Sequence, residues 1–307
     1  MRIKIIFNML YRTIMPIVKG FSPSIWARIH YYRTYKKTCN FNNPQTFSEK
    51  LIWLWLNDYS NNKTIYKLSD KYLVREFIKK RGCYDLLNQL YFKTEKVDDI
   101  DYDSLPDSFV LKRSIGWNTN IICNDKRKLS KSELVKELKK WDKGQYLYDI
   151  EVSRIAGIPM RNIKKYYICE KNLCSESGRI PSDYKIYCFY GEPKAILYIT
   201  GREENKAGCF MSLEWEKISD LAINYCKLIE IPEKPNSLDQ MISAAKKLSK
   251  GFPFVRVDFY DYYGKAVFGE MTFFPAGCIG MQETKVGGID MSEFLPINLN
   301  GGNILYD

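Results

Sequence analysis

The segment from residue 254 to residue 275 constrains the fold of this chain most strongly. It reads FVRVDFYDYYGKAVFGEMTFFP, which is two β-branched and aromatic runs joined by a short turn. This pattern predicts a β-hairpin. With a three-residue loop at residues 263–265, we expect Asp258 to lie opposite Glu270 and Arg256 opposite Thr272.

Side-chain alternation gives the predicted hairpin one polar face and one apolar face. The polar face carries the four residues just named. The apolar face carries Val255, Val257, Phe259 and Val267. Like charges that face each other destabilise a sheet, so the two acids predict a cation between them. Mg²⁺ fits, because it typically takes one or two carboxylates together with substrate phosphates. The alternative is a solvent-facing strand face whose acids pair with nearby lysines, and the hairpin alone leaves both open.

The composition of the chain indicates an ordered globular protein. Its 307 residues are 45% hydrophobic and 15% aromatic, enough for a large core and two or three subdomains. No run of about 18 apolar residues predicts a transmembrane helix, and the N-terminus lacks a signal-peptide pattern. Nine cysteines without a CxxC pair, and a single histidine, His30, argue against structural zinc and histidine-based catalysis. We expect reduced, buried thiols in a cytosolic protein.

The positive charge of the chain is concentrated at its start. Residues 1–48 contain eight basic and no acidic side chains, and they account for most of the net charge of +11. Basic residues interleaved with bulky apolar ones predict a helix that lies on an anionic membrane surface. The alternative is a helical lid packed on the body of the protein. Nucleic acid is not an expected partner, because the rest of the chain shows no basic face or RNA-reading motif.

Capping and periodicity signals predict an α+β chain. The predicted helices lie within residues 1–38 and at 46–58, 68–80, 130–141 and 238–249. The predicted strands outside the hairpin are 90–92, 109–112, 121–123, 163–170, 184–189 and 194–200. We place the main boundary at Pro106, between an N-terminal helical region (1–105) and a second domain (106–307).

Charged residues recur at the ends of these predicted strands. Lys112 ends one strand before the loop at residues 113–120, where its ammonium can meet phosphate oxygens. Glu170 and Lys171 follow an apolar strand, where a connecting segment can hydrogen-bond adenine and ribose edges. Asp183 and Lys185 share a strand face, and Lys185 can supply a second phosphate contact. Each feature alone is more often structural, but their order favours a nucleotide site beside the hairpin.

The order of these motifs resembles the ATP-grasp fold, and more closely the TupA-like branch found in bacterial cell-surface polysaccharide clusters. Five segments carry the resemblance: PQTFSEK (44–50), LSDKYLVR (68–75), LPDSFVLK (105–112), PSDYK (181–185) and the hairpin. The resemblance implies two α/β subdomains that grip ATP. They would comprise a lid at about 106–165 and a C-terminal subdomain at about 166–307.

The resemblance also implies roles for individual residues. Lys112 and Lys185 would hold ATP phosphates, and Glu170 would lie at the adenine-binding hinge beside Lys171. Asp183 would also belong to the nucleotide site. Arg256, together with Lys185, would act in catalysis on the acyl phosphate or the transferring phosphoryl group. The implied Mg²⁺ ligands are Asp258, Glu270 and Thr272, the last in place of a metal-binding asparagine.

One segment departs from the pattern of this branch. The loop at residues 113–120 lacks three glycines of the usual glycine-rich loop and carries Trp117 in place of a small residue. Such a stiffer loop puts ATP closure or substrate choice in question. The intact acid hairpin argues against an inactive enzyme.

The function that the resemblance implies is an ATP-dependent ligase. It would join a carboxylate, such as that of a hexuronic acid in a surface polysaccharide, to an amine such as an amino acid, through an acyl phosphate. The expected partners are a nucleotide and a small-molecule or saccharide substrate, in the cytoplasm with peripheral contact at the inner membrane face. A glycosyl- or phosphotransferase of capsule or lipopolysaccharide synthesis is the alternative, but the acidic loop at residues 98–103 offers no convincing DxD strand end. A non-catalytic binding protein is favoured only by the altered loop.

Overall fold

A computed structural model describes most of the chain. The described residues are 14–15, 17–19, 21–116, 119–144, 163–201, 206–220, 226–227, 230–279, 285–286 and 288–305. Residues 1–13 of the predicted basic helical region (1–38) and the loop residue Trp117 lie outside them. None of the helices within these ranges is both long enough and apolar enough to cross a membrane.

Four short helices form the N-terminal layer. They are α1 (Pro23–Tyr35), α2 (Phe47–Leu54), α3 (Lys63–Ser69) and α4 (Val74–Lys80), and a π-helical turn (Trp55–Tyr59) continues α2. The predicted start of this helix at residue 46 is confirmed, and a capping box forms it: Glu49 N donates to Thr46 Oγ1 at 3.2 Å, and Thr46 N donates to Glu49 Oε2 at 3.1 Å.

The predicted helix over residues 68–80 is wrong in one respect, because it is interrupted at Asp70. The Asp70 carboxylate accepts hydrogen bonds from the backbone N–H groups of Tyr72 and Leu73, both at 2.8 Å. A short acidic side chain that binds the following backbone N–H groups competes with helix continuation. The chain therefore turns between α3 and α4, and this turn brings Lys71 towards the strands.

A small antiparallel sheet follows the helices. Its strands are β1 (Leu90–Thr94), β2 (Phe109–Arg113), β3 (Asn120–Cys123) and β4 (Tyr167–Lys171), in the order β1-β4-β2-β3. Helix α5 (Lys131–Gly144) packs on it through Leu134, Leu138 and Trp141. Strand β1 lies before the expected boundary at Pro106, and yet it pairs with β4. The small sheet therefore includes residues from before that boundary.

A larger sheet forms the second unit. Six of its strands have the order β11-β10-β5-β6-β7-β8, and β9 (Cys226–Lys227) pairs with β7. The six are β5 (Asp183–Phe189), β6 (Glu192–Thr200), β7 (Ala207–Met211), β8 (Lys217–Asp220), β10 (Phe254–Tyr262) and β11 (Lys265–Thr272). Helix α6 (Leu238–Ser249), with the predicted bounds, lies between β9 and β10 in the chain. A two-stranded ribbon, β12 (Lys285–Val286) and β13 (Ile289–Asp290), follows.

The two faces of the large sheet have different neighbours. Helix α6 covers the face of Cys188, whose thiol lies 3.9 Å from the Ala245 carbonyl oxygen. On the opposite face, the Phe47 ring of α2 packs against Phe189 and Phe254, at centroid distances of 5.6 and 5.4 Å. Because side chains alternate along a strand, this second face is aromatic at the end covered by α2 and carries charged residues further along β5 and β10.

The hairpin of β10 and β11 has the predicted register at the acids but a different turn. Tyr262 pairs with Lys265, so the loop has two residues, and a bulge at Gly269 then restores Asp258 opposite Glu270. The bulge also changes which residue of β11 lies on the apolar face: Phe268 pairs with Phe259, whereas Val267, the residue predicted on that face, pairs with Tyr260. A one-residue shift transfers a side chain to the other face of a strand.

The eight cysteines whose side chains the structure describes carry thiols rather than disulfides, and seven of them are buried. His30 is half-buried, and its ring contacts that of Trp26 in a tilted arrangement, at a centroid distance of 4.9 Å. Burial, followed by nearby Lys19 and Arg33, lowers the pKa of His30. These residues therefore belong to the packing of the protein, as predicted.

Candidate active site

Six polar side chains on three adjacent strands of the large sheet form a compact group, which we call the polar cluster. Its members are Asp183 and Lys185 of β5, Arg256 and Asp258 of β10, and Glu270 and Thr272 of β11. In the register, Asp258 pairs with Lys185 on one side and with Glu270 on the other. Cross-strand partners point to the same face, so the structure brings these six predicted site residues together.

The Asp258 carboxylate is at the centre of the polar cluster and only 2% exposed. It accepts hydrogen bonds from Arg256 Nε at 2.6 Å and Nη2 at 2.7 Å, and the Lys185 ammonium also contacts it. Lys185 lies 3.3 Å from Asp183, which is also buried. Buried carboxylates require such partners. The solvent-facing alternative is therefore wrong for Asp258, although the lysine partner that it predicted is present.

Glu270 is the open carboxylate of the polar cluster, with 37% of its side chain exposed. Its Oε1 accepts from Thr272 Oγ1 at 2.9 Å, and its Oε2 lies 3.9 Å from Lys71 Nζ. Desolvation of the Glu270 carboxylate by the surrounding protein acts to raise its pKa. The positive charges of Lys71, Lys185 and Arg256 outweigh this effect and lower the pKa to about 2. Glu270 is therefore an anion at neutral pH.

Lys71 is a residue of this site that the sequence reasoning missed. Its ammonium donates to the Gly116 carbonyl at 3.0 Å, and its backbone N–H donates to the Ser114 carbonyl at 2.7 Å. Next to it, the buried Asp70 accepts a hydrogen bond from Ser114 Oγ at 2.7 Å. The segment between α3 and α4 thus connects the loop after β2 with Glu270. The available signal was the Asp-Lys pair in the family-like segment 68–75.

A second group of charges lies on the small sheet. The Glu170 carboxylate of β4 is 6% exposed and lies 2.7 Å from Lys112 Nζ and 3.2 Å from Arg75 Nη1. Arg75 also donates to the Asn88 carbonyl at 2.9 Å. The structure therefore brings the predicted Lys112 and Glu170 together, and adds Arg75 of α4. The Glu170 carboxylate is therefore already paired with two cations.

Lys171 connects the two sheets. It ends β4, and its ammonium lies 4.9 Å from the ring centroid of Tyr262 at the end of β10. The chain then passes through residues 172–182 into β5 of the large sheet. The predicted hinge position of Lys171 therefore lies where the chain passes from the small sheet to the large one.

The donor set of the polar cluster fits Mg²⁺. Glu270 and Asp258 offer carboxylate oxygens and Thr272 a hydroxyl on the same face. Among the described residues, no group of three or more His, Cys, Asp or Glu side chains is arranged to hold a metal by itself. Mg²⁺ that is shared with phosphates needs only one or two carboxylates. Glu270 would be the accessible ligand, whereas both Asp258 oxygens are already paired with Arg256.

A surface cleft elsewhere is not part of this arrangement. It has a volume of about 520 Å³ and lies beside β6 to β8 and the β12–β13 ribbon. Its lining includes Lys194, Glu214 and Lys217, and none of the predicted site residues. We assign it no role, since the chemistry-bearing residues converge on the polar cluster.

A comparison with protein families gives a match that agrees with this geometry. The family model described as TupA-like ATPgrasp matches residues 49–286, which is more than half of the chain. The chain belongs to the TupA-like ATP-grasp family. This membership, together with two sheets that are antiparallel except for the β7–β9 pair, confirms the expected α+β architecture and ATP-grasp fold.

Solved structures show more distant likenesses to this TupA-like chain. D-alanine–D-alanine ligase from Bacillus anthracis complexed with ATP is 14% identical with a TM-score of 0.42, and the match covers 72% of this chain and 60% of that one. The corresponding ligase from Helicobacter pylori is 12% identical with a TM-score of 0.40, covering 76% and 57%. The ADP complex of purK, an N5-carboxyaminoimidazole ribonucleotide synthetase, is 11% identical with a TM-score of 0.40, covering 68% and 46%.

These likenesses are partial in length. The TupA-like chain spans between 46% and 60% of the three solved proteins just described. A search of curated proteins found no match. The activity, substrates and partners of this chain are therefore matters for proposal.

Proposed function

We propose that this TupA-like protein is an ATP-dependent ligase that joins a carboxylate to an amine through an acyl phosphate. The observation that carries the proposal is the polar cluster together with the neighbouring Lys71. The cations Lys71, Lys185 and Arg256 surround two carboxylates on one sheet face. Fixed cations suit a reaction in which negative charge develops on phosphoryl oxygens. Family membership points to the same chemistry.

In the proposed first step, a substrate carboxylate attacks the γ-phosphorus of ATP, the bond to the β-phosphate oxygen breaks, and ADP leaves. Lys185 and Lys112 bind phosphate oxygens, and Arg256 stabilises the charge on the phosphoryl group in transfer. When phosphates bind, the ion pair between Lys112 and Glu170 would weaken, and Arg75 would still neutralise the negative charge of Glu170. Backbone groups at Glu170 and Lys171, rather than the Glu170 carboxylate, would meet the adenine.

In the second step, an amine attacks the acyl carbon, and inorganic phosphate leaves with its bonding electron pair and takes up the proton that the amine loses. The tetrahedral intermediate is anionic, and Arg256 is the cation best placed to stabilise it. Mg²⁺, held by Glu270 with Asp258 and Thr272, would neutralise phosphate charge. Asp183 acts through Lys185, whose ammonium it holds at 3.3 Å.

The proposed carboxylate substrate is a hexuronic acid of a surface polysaccharide, and the proposed amine is an amino acid. This assignment rests on the setting in which the TupA-like branch occurs. The protein would then act in the cytoplasm near the inner membrane face, where such acceptors are made.

Hydroxylamine trapping tests the reaction. The protein is incubated with Mg-ATP, a hexuronic acid and hydroxylamine, and we expect ADP together with the corresponding hydroxamate. Glu270→Gln should abolish both products, whereas the exposed control Glu214→Gln should retain them. Formation of ADP and hydroxamate by Glu270→Gln at the wild-type rate would falsify the assignment of Glu270.

Nucleotide selectivity separates the ligase from a transferase. Thermal-shift measurements with ATP, GTP and UDP-sugars, each with and without Mg²⁺, should show stabilisation by Mg-ATP. Stabilisation by a UDP-sugar alone would favour a glycosyltransferase instead. The acidic loop gives that alternative no support, because Asp101 Oδ1 accepts from Asp103 N at 3.1 Å and so closes a turn.

A further inference from the structure

We propose that one exposed face of the N-terminal helical segment binds an anionic membrane surface. The proposal rests on this surface and not on the ligase reaction. Six large apolar side chains between residues 14 and 32 have exposed fractions of 40–68%. They form what we call the apolar stripe: Ile14, Ile17, Phe21, Ile25, Ile29 and Tyr32.

The apolar stripe runs along two helical stretches that meet at Ser22, whose φ of −144° and ψ of 86° are not helical. Its members are separated by three or four residues, and the last three, Ile25, Ile29 and Tyr32, share one face of α1. Just before α1, Ser22 N donates to the Val18 carbonyl at 2.7 Å. Among the described residues, fourteen large apolar side chains are exposed, and six of them lie in this stripe. Such clustering marks an interaction surface.

The opposite face of α1 is anchored to the body of the protein. Trp26, Ala27 and Tyr31 are buried. The Trp26 ring meets Trp55 edge-on at a centroid distance of 5.6 Å, and the Tyr31 hydroxyl lies 3.3 Å from Thr46 Oγ1. The helix is therefore held in place without the apolar stripe.

The charges beside the apolar stripe decide which partner fits it. Arg28 and Arg33 lie on α1, and the exposed Lys36 and Lys37 follow its end. Residues 1–48 contain no acidic side chain. An apolar face whose own segment carries cations and no anions complements a bilayer whose headgroups are anionic, since the apolar side chains would enter the acyl boundary and the exposed cations would meet phosphates.

Point substitutions test the apolar stripe better than truncation, because removal of residues before Asn40 would also take Trp26 and Tyr31 out of the core. The test variant is Ile25→Ser with Ile29→Ser, at side chains that are 51% and 42% exposed. The matched control is Ile231→Ser with Ile289→Ser, at side chains that are 48% and 44% exposed. Circular dichroism checks that both variants fold.

The measurement is co-sedimentation of the full chain with vesicles, without nucleotide. We expect the wild type and the control to bind phosphatidylcholine vesicles that contain phosphatidylglycerol at low salt, and to ignore vesicles of phosphatidylcholine alone. At about 1 M salt, where the Debye length falls to about 3 Å, binding should be lost or strongly reduced. The partition coefficient of the stripe variant should be lower by about tenfold or more.

Three outcomes would overturn the proposal. One is that the wild type ignores anionic vesicles at low salt, and another is that the stripe variant binds them as well as the control does. The third outcome is that the wild type forms a dimer in analytical ultracentrifugation, that the stripe variant is monomeric, and that neither binds vesicles. The apolar stripe would then be an interface between two copies of the chain. Mg-ATP turnover, measured on the same samples, tests the proposed ligase reaction independently of vesicle binding.

Discussion

Glu270 combines an open carboxylate with a strongly lowered pKa, and this makes its contribution to stability dependent on pH. Its folded-state pKa of about 2 lies below the ordinary value of 4.5. A carboxyl group with a lowered pKa stabilises the fold fully above its ordinary pKa, and this contribution is lost as the pH falls through the folded value. The relevant window therefore runs from about pH 4.5 down to about pH 2.

We expect Glu270→Gln to remove this dependence. Urea unfolding at a series of pH values should show that the free-energy difference between wild type and variant shrinks between about pH 5 and pH 2. Removal of one of two facing acids does not by itself predict a more stable protein, because Lys71 and Arg256 lose a partner. The exposed Glu214→Gln should follow the wild type. A constant difference across the window would contradict the lowered pKa.

Lys112 and Lys185 differ in how deeply they are paired, although both are proposed phosphate ligands. Substitution of either by Met removes a charged hydrogen bond worth about 1.5–3 kcal/mol, so calorimetric titration should show Mg-ATP affinity lower by about tenfold or more. Lys185→Met should also cost about 3–5 kcal/mol of stability, since it leaves Asp183 buried without this cation. Lys112→Met should cost less, because Glu170 keeps Arg75.

The exposed strand residue Lys265 provides the matched control for these two substitutions. Lys265→Met should change neither stability nor affinity. If both site variants bound Mg-ATP as tightly as this control, the phosphates would lie elsewhere.

At the scale of the element, the β-bulge at Gly269 aligns the two acids of the hairpin. A Cβ at Gly269 would lie 3.0 Å from the Asp258 carbonyl oxygen, and this backbone atom cannot move aside as a side chain would. We expect Gly269→Ala to cost about 1–3 kcal/mol and to weaken Mg-ATP binding, because Glu270 is displaced relative to Asp258. Urea unfolding and calorimetric titration measure the two effects.

The turn glycine of the same hairpin serves as the control. Gly264 has φ +79, and the atoms nearest to an added Cβ lie 3.7 Å away on Asn236. Gly264→Ala should cost about 1–2 kcal/mol through left-handed backbone strain and leave Mg-ATP affinity unchanged. Equal losses of affinity in both variants would mean that the bulge has no particular role in the site.

At the scale of the whole molecule, the hydrogen bond between Asp70 and Ser114 joins the N-terminal helices to the small sheet. Both side chains are fully buried, and Ser114 Oγ also accepts from Tyr166 N at 3.3 Å. Burial raises the pKa of Asp70, although its hydrogen bonds with Leu73, Ser114 and Tyr72 oppose this effect.

We expect Ser114→Ala to lower the free energy of unfolding by about 1–3 kcal/mol, because one Asp70 oxygen then loses its donor in the interior. It should also weaken Mg-ATP binding, since the neighbouring Lys71 connects this contact to Glu270. Ser104→Ala, at an exposed serine, is the control for both measurements. An unchanged free energy of unfolding and an unchanged Mg-ATP affinity in Ser114→Ala would show that the hydrogen bond between Asp70 and Ser114 contributes to neither.

Signals that act over a few residues made much of the fold predictable from the sequence. The capping box at Thr46, the bounds of α6 and the pairing of Asp258 with Glu270 follow from side-chain alternation and from hydrogen bonds between near neighbours. The residue pattern of the hairpin also gave the shared face of Arg256 and Thr272. The register at the acids was right although the turn was one residue shorter, because the bulge at Gly269 compensated.

The sequence by itself determined the strands β1 to β6 and the hairpin, the charged face of that hairpin, and the family to which the motifs belong, but it did not reveal β7 to β9 or the β12–β13 ribbon. Tertiary structure decided that Lys71 reaches Glu270, that Arg75 shares Glu170 with Lys112, and that β1 joins the small sheet. These contacts join residues far apart in the chain, and no local period encodes them. They depend on how the helices pack on the two sheets, which only the folded chain specifies.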